Sequence, residues 1–223
     1  MEERVNVILD YDGTLHEALA IYAPAFREMA SFLQGRDFLP PGEYGDEMIA
    51  PFLGQTRVAM WEAFLPELPD EIRQEAEGIL GSSMVRAIEE GRARFYPGAL
   101  EALEEMKVRG WRLFILSNCV TEYLEAHRKA FRLDRFITGY YPGEAYGFRP
   151  KEEILPLILD AYPGPAVMVG DRIHDMRAAS HNEIPGIACI YGYGKREEFI
   201  SAALQVSSPG EIPEGVERLV PHA

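Results

Sequence analysis

The sequence predicts an α/β fold in which a parallel sheet is covered by helices and interrupted once by a helical insertion. Three observations predict it. Short apolar runs recur at 5–9, 111–116, 166–169 and 186–190, with the length and apolarity of strands buried on both faces. Helical periodicities lie between the later runs, which is the pattern of βαβ units. Residues 17–92 carry only helical spacing, with no alternating strand pattern.

The chain has 223 residues, 47% of them hydrophobic, enough for one large domain or a core with a small second domain. A net charge of −14 argues against nucleic acid and against an anionic membrane as partner. A small anionic substrate is still compatible, because one lysine and one metal ion can reverse the field in a cleft. Cys119 and Cys189 are the only two cysteines, too few for a disulfide framework. The N-terminal apolar run is too short for a signal peptide, and no stretch is long enough to span a bilayer. The expected location is the cytoplasm.

In chain order, the first strand runs into Asp10, Asp12, Gly13 and Thr14. Helical spacing follows over 16–33 (Leu19, Tyr22, Phe26, Met29) and ends at the Gly35–Gly42 breakers. One or two short helices are expected over 46–64, punctuated by Pro51 and Gly54, and a longer one over 69–91. Then come a helix over 97–109, a strand at 111–116, a helix over 121–132 and a short strand at 135–139. The pattern continues with a helix over 152–162, a strand at 166–169, a helix over 175–183 and a strand at 186–190. A final helix is expected over 195–202, and the Pro/Gly-punctuated tail from Ser207 has no clear pattern.

Chemistry concentrates where strands end. Asp10 and Asp12 follow the first strand, Ser117 and Asn118 the second, and Gly170-Asp171 a later one. In an open parallel sheet those carboxyl ends share one rim, where ligands bind. Alternation points Asp10 and Asp12 the same way, with Tyr11 opposite. Two adjacent carboxylates repel unless a cation shares them or one is protonated. Lys151 opens a helix, where a cation opposes the helix dipole, so its placement against local preference hints at function. Asp171 and Asp175 lie four apart across a strand-to-helix turn.

The stretches DYDGTL, ILSN, RPK and GDRIHD, in that order, resemble the four motifs of the haloacid dehalogenase-like superfamily of phosphohydrolases, over roughly residues 5–191. The resemblance implies a Rossmann-like three-layer core at 1–16 and 93–223 and an α-helical cap domain at 17–92. It implies Asp10 as the nucleophile that forms an aspartyl phosphate and Asp12 as general acid, then general base, with its backbone carbonyl near the metal. Ser117, Asn118 and Lys151 would bind the phosphoryl group. Asp10, Asp12, Asp171 and Asp175 would form an oxygen-rich Mg²⁺ site, Asp175 being outer-sphere or structural. The expected substrate is a small phosphorylated metabolite, acted on by a monomer or homodimer.

Asp12 sorts the branch: a haloacid dehalogenase has no alcohol to protonate, so aspartate there favours phosphoryl transfer. The alternatives are a sugar-phosphate mutase resembling β-phosphoglucomutase and a non-catalytic phosphometabolite-binding protein. Ala20 stands where such a mutase carries a cap histidine, and no lysine precedes Lys107 to form a Schiff base from the cap. Gln55, Thr56 and Arg57 are the expected specificity residues. Arg172, where a small hydroxyl residue is frequent, is expected near the acidic network or a phosphate. ILSNCV differs from the second motif of several phosphoglycolate phosphatases. His16, His127, His181 and His222 read as surface or packing residues, His174 as a helix-entry residue and Cys119 as a packing residue.

Overall fold

A computed structural model describes residues 4–220; His222 lies outside the described residues. Six strands form one parallel sheet in the order β3-β2-β1-β4-β5-β6. They are β1 (Asn6–Leu9), β2 (Arg112–Ser117), β3 (Ile137–Pro142), β4 (Ala166–Gly170), β5 (Gly186–Cys189) and β6 (Leu204–Val206). β1 is central, pairing Asn6 with Arg112 on one side and with Ala166 on the other. The strand order therefore reverses at β1, and the crevice for a ligand opens at that switch point.

Alternation along the strands builds three layers. Val7, Leu9, Leu113, Ile115, Val167 and Val169 face α5 (Ala99–Val108), α6 (Thr121–Ala130) and α9 (Ile212–Leu219). Ile8, Phe114 and Met168 face the opposite side, toward α7 (Lys151–Ala161) and α8 (Ile173–His181). Both faces of the strands are covered, which is why they read as continuous apolar runs rather than as alternation.

Between β1 and α5 lie α1 (Leu19–Gln34), α2 (Asp46–Ile49), α3 (Arg57–Phe64) and α4 (Asp70–Glu89). They enclose a hydrophobic cluster of their own around Phe26, Met29, Leu33, Ile49 and Trp61. The separation from the sheet is incomplete, since Ile21 of α1 and Ala87 and Ile88 of α4 pack into the main core. Among the described residues no helix is long and apolar enough to cross a membrane.

Two expectations about the C-terminal part are corrected. The helix expected at 195–202 is a single 3-10 turn at Arg196–Phe199, β6 follows it, and the tail from Ser207 is ordered into α9. Pro213 sits in the first turn of α9, where its missing N–H costs nothing. Gly215 is there because a Cβ would come within 2.9 Å of Leu204. Residues that read as breakers are thus what let α9 begin and pack closely.

Candidate active site

The site assembles from strand ends and the turns that follow them. Asp10 leaves β1, its N–H bonded to the Val169 carbonyl at 2.8 Å. Asp171 follows β4, and Asp175 lies in the first turn of α8. Asp10, Asp171 and Asp175 each offer an oxygen within 4.8 Å of the others. Lys151, at the start of α7, is buried and bridges two of them, with Nζ 2.6 Å from Asp10 Oδ1 and 2.7 Å from Asp175 Oδ1. Those two contacts explain a lysine in the first turn of a helix: it is drawn by carboxylates, not by the dipole.

One lysine does not balance three buried carboxylates. Burial, set against the pull of Lys151, pushes the Asp10 carboxyl up to about 7. Burial, reinforced by Asp10 and Asp175, holds the Asp171 carboxyl well above the usual carboxylate range. Burial alone would lower the Lys151 pKa, but Asp10 and Asp175 outweigh it and raise it, so the amine stays charged.

The oxygens of the cluster are not equally engaged. Asp175 Oδ2 accepts the Arg172 N–H at 3.0 Å, so both of its oxygens are taken. Asp171 Oδ2 accepts the Tyr193 N–H at 2.7 Å, while its buried Oδ1 has no partner among the described residues. Glycines crowd Asp171: a Cβ on Gly13 would lie 2.1 Å from its Oδ2, and one on Gly192 2.4 Å from its Cβ. A buried carboxylate oxygen without a donor, inside an excess of negative charge, fits a hard divalent cation.

Asp12 points into a different set of contacts. Its Oδ1 accepts the Tyr123 hydroxyl at 2.7 Å and lies 2.8 Å from His16 Nδ1. Burial, then the Asp12 charge, hold the Tyr123 pKa well above its ordinary value, so its hydroxyl is a fixed donor. Behind them His127 packs its ring 4.3 Å from His16, 4.6 Å from Tyr123 and 4.9 Å from Tyr11. Burial, with His16 beside it, pushes His127 down to about 2. His16 and His127 are fully buried, which corrects the surface reading; packing is the accurate half of that expectation for His127. His181 is exposed at the end of α8 and His174 lies in its first turn.

Asp10 and Asp12 both line a cavity of about 220 Å³, together with Ser117, Asn118 and Cys119, while Tyr11 is buried in the core. Burial pushes the Cys119 thiol up to about 12, so it is not a thiolate at neutral pH. Of the residues expected to face the substrate, Gln55 and Arg57 line the cavity. Thr56 instead caps α3, its Oγ1 accepting the Ala59 N–H at 3.2 Å. Arg172 does not join the acidic cluster by its side chain. It bonds Glu198 at 3.1 Å and donates to the Leu53 carbonyl, tying α8 to the inserted helices.

Residues 6–181 match the haloacid dehalogenase-like hydrolase family model. The chain belongs to that family. The haloacid dehalogenase-like fold accounts for the parallel sheet and the carboxylates at its rim, and relatives of the chain include phosphoglycolate phosphatases, pyrophosphatases and a 5'-nucleotidase. The chain is 23% identical over 218 residues to a phosphoglycolate phosphatase of Caulobacter vibrioides, covering 93% of this chain and 89% of the other. It is 34% identical over 112 residues to a 5'-nucleotidase of Pseudomonas aeruginosa, a match spanning 47% of this chain and 49% of the relative. A predicted phosphatase from Clostridium acetobutylicum superposes with a TM-score of 0.82 at 19% identity, over 97% of this chain and all of the other, a likeness of fold. The chain is a phosphohydrolase of the haloacid dehalogenase-like family.

Proposed function

We propose that this phosphohydrolase cleaves a small soluble phosphomonoester in a Mg²⁺-dependent reaction through an aspartyl phosphate on Asp10. The observation that carries this reading is the buried Lys151 clamp on Asp10 and Asp175, beside an Asp171 oxygen with no donor. Asp10 and Asp171 would hold Mg²⁺, helped by the Asp12 backbone carbonyl, with Asp175 acting through Lys151 and the α8 backbone. The cation would offset charge on the phosphoryl oxygens and lower the cost of bringing that dianion to a carboxylate.

Asp10 attacks phosphorus as the bond to the ester oxygen breaks, and the Asp12 carboxylic acid gives its proton to the departing alkoxide. The Asp12 carboxylate then takes a proton from water as that water attacks the aspartyl phosphate. Asp10 leaves as carboxylate and inorganic phosphate is released. Lys151 and the Ser117 hydroxyl hold the phosphoryl oxygens in place. The helices at 17–92 would serve as a cap domain that excludes water over the core at 1–16 and 93–223. Two cysteines that form no disulfide support a cytoplasmic setting, where the enzyme would act as a monomer or homodimer.

The test is phosphate release from a panel of esters, with Mg²⁺ and with chelator, alongside Asp10→Asn. The expected result is metal-dependent release that the substitution abolishes. Release by Asp10→Asn at the wild-type rate would remove Asp10 as the nucleophile, and full activity in chelator would remove the metal.

A further inference from the structure

The cavity has two chemically distinct ends. Asp10, Asp12 and Ser117 make the polar floor. The opposite wall is apolar, built by Phe52, Met60, Leu80 and Met84 from the inserted helices and by Val120 and Phe148 from the core. Polar groups on that wall are few, and the amides of Gln55 and Asn118 are neutral.

Charge on the wall is cancelled internally. Arg57 is the one cationic side chain there among the described residues, and its Nη1 lies 3.0 Å from Glu77 Oε2. Glu77 is fixed in turn, its Oε1 accepting the Trp61 indole N–H at 2.7 Å. The Arg57 guanidinium also lies 5.0 Å from the centre of the Phe148 ring. An alcohol bearing its own carboxylate or phosphate would meet Glu77 and would have to draw Arg57 away from it. Lys151 lies at the phosphoryl end, on Asp10 and Asp175, and does not line this wall.

Phe148 supplies a second, independent observation. Its φ is +55°, directly after Gly147 at +66°, a left-handed conformation uncommon for a bulky residue. Its N–H bonds the Gly143 carbonyl at 2.8 Å, and the ring it presents forms part of the cavity wall, three residues before Lys151. Backbone conformations of this kind persist where a ligand clamp is built.

Resting on the phosphatase reading above, we propose that the cavity selects phosphomonoesters of uncharged alcohols with a flat aromatic face, with Phe148 and Phe52 as its aromatic walls. Esters whose alcohol part carries a carboxylate or a second phosphate are poor substrates.

The test compares 2-phenylethyl phosphate with phosphoglycolate on the Mg²⁺-loaded enzyme. Both are esters of primary alcohols, so the comparison reads the body of the alcohol. Expected is a kcat/KM higher by about tenfold or more for 2-phenylethyl phosphate, the usual scale of apolar pocket discrimination. Phe148→Ala should raise KM for that ester by a larger factor than for phosphoglycolate, whereas Phe148→Tyr should retain the preference. Equal or reversed preference in the wild type, or a Phe148→Ala effect equal on both esters, overturns the proposal. Failure of both esters to turn over would count against the phosphatase reading, and the selectivity would then be read from binding. Asp10→Asn enzyme titrated calorimetrically with each intact ester should bind 2-phenylethyl phosphate more tightly. Tighter or equal binding of phosphoglycolate, or no binding of either, overturns the proposal.

Discussion

A carboxylate that is to give and then take a proton needs a fixed direction and a donor that does not itself ionise. Asp12, proposed above for that role, has both: Tyr123 and His16 converge on one oxygen, Oδ1, and burial keeps the phenol protonated. Tyr123 is thus a positioning residue for Asp12. Tyr123→Phe should lower kcat/KM about 10- to 100-fold, at or below the low end of the roughly 10²–10⁴-fold of a general acid–base group, because Asp12 itself is kept. The loss should be larger for an alkyl phosphate than for an aryl phosphate, whose leaving group departs without a proton. Steady-state kinetics on the two esters check this; equal losses would make the hydroxyl merely structural.

This cluster also marks what single residues conceal in a sequence. Asp10, Asp12, Lys151 and Asp171 stand out in the sequence because they end an apolar run or oppose a local preference, whereas Asp175 agrees with its helix start and is marked only by the GDRIHD motif. His16 and His127 do not stand out, because an isolated histidine on a helix or turn has the pattern of a solvated residue. One signal was available. Tyr123 and His127 are four apart in α6 with Leu124 between them, the spacing of one helix face, and all three are buried.

At the level of elements, turns control the site as much as strands do. Gly13 has φ +87° and its missing Cβ leaves room for Asp171 at 2.1 Å; Gly91 has φ +73° with nothing within 4 Å. Gly13→Ala and Gly91→Ala therefore share the left-handed strain, roughly 1–2 kcal/mol, and differ only in crowding. Both should lose similar thermal stability from that strain, with an added loss for Gly13→Ala. Only Gly13→Ala should weaken Mg²⁺ binding, read by titration calorimetry. Equal Mg²⁺ affinity in the two variants would disconnect Gly13 from the proposed metal site.

Strands β1, β2, β4 and β5 were readable because burial on both faces leaves them uniformly apolar. β6 and α9 were not. Leu204–Val206 is too short to show a period, Pro213 looks like a breaker until its first-turn place is known, and Gly215 until the neighbours that crowd it, Leu204 and Ile187, are in place. Close packing is a property of two elements, and a single stretch of chain does not record it.

For the molecule as a whole, acid should be destabilising through His127. Its ordinary value is 6.5 and the folded value is about 2, lowered by burial. Below 6.5 the unfolded chain binds a proton that the folded one refuses, so stability falls as pH falls. The slope is at most about 1.4 kcal/mol per pH unit. Asp10, raised to about 7 by burial, works in the opposite sense between its ordinary value and 7, because there the folded state holds the extra proton. Comparison of wild type with His127→Phe isolates the histidine. Denaturant unfolding at pH 7 and pH 5 should show a smaller loss on acidification in the variant. An identical loss would mean that His127 accepts its proton without unfolding.

The central place of β1 has a consequence for how the protein is made. Its apolar residues are made well before the strands that flank it, β2 and β4, Asn6 pairing with both Arg112 and Ala166. Both neighbours are long-range partners, which slows folding, and until they emerge VNVIL is an unpaired strand open to association with other chains. The nascent chain must keep this segment out of wrong pairings until both partners have emerged. The acidic residues Glu2, Glu3, Asp10 and Asp12 that bracket this segment make it a poorer template for aggregation.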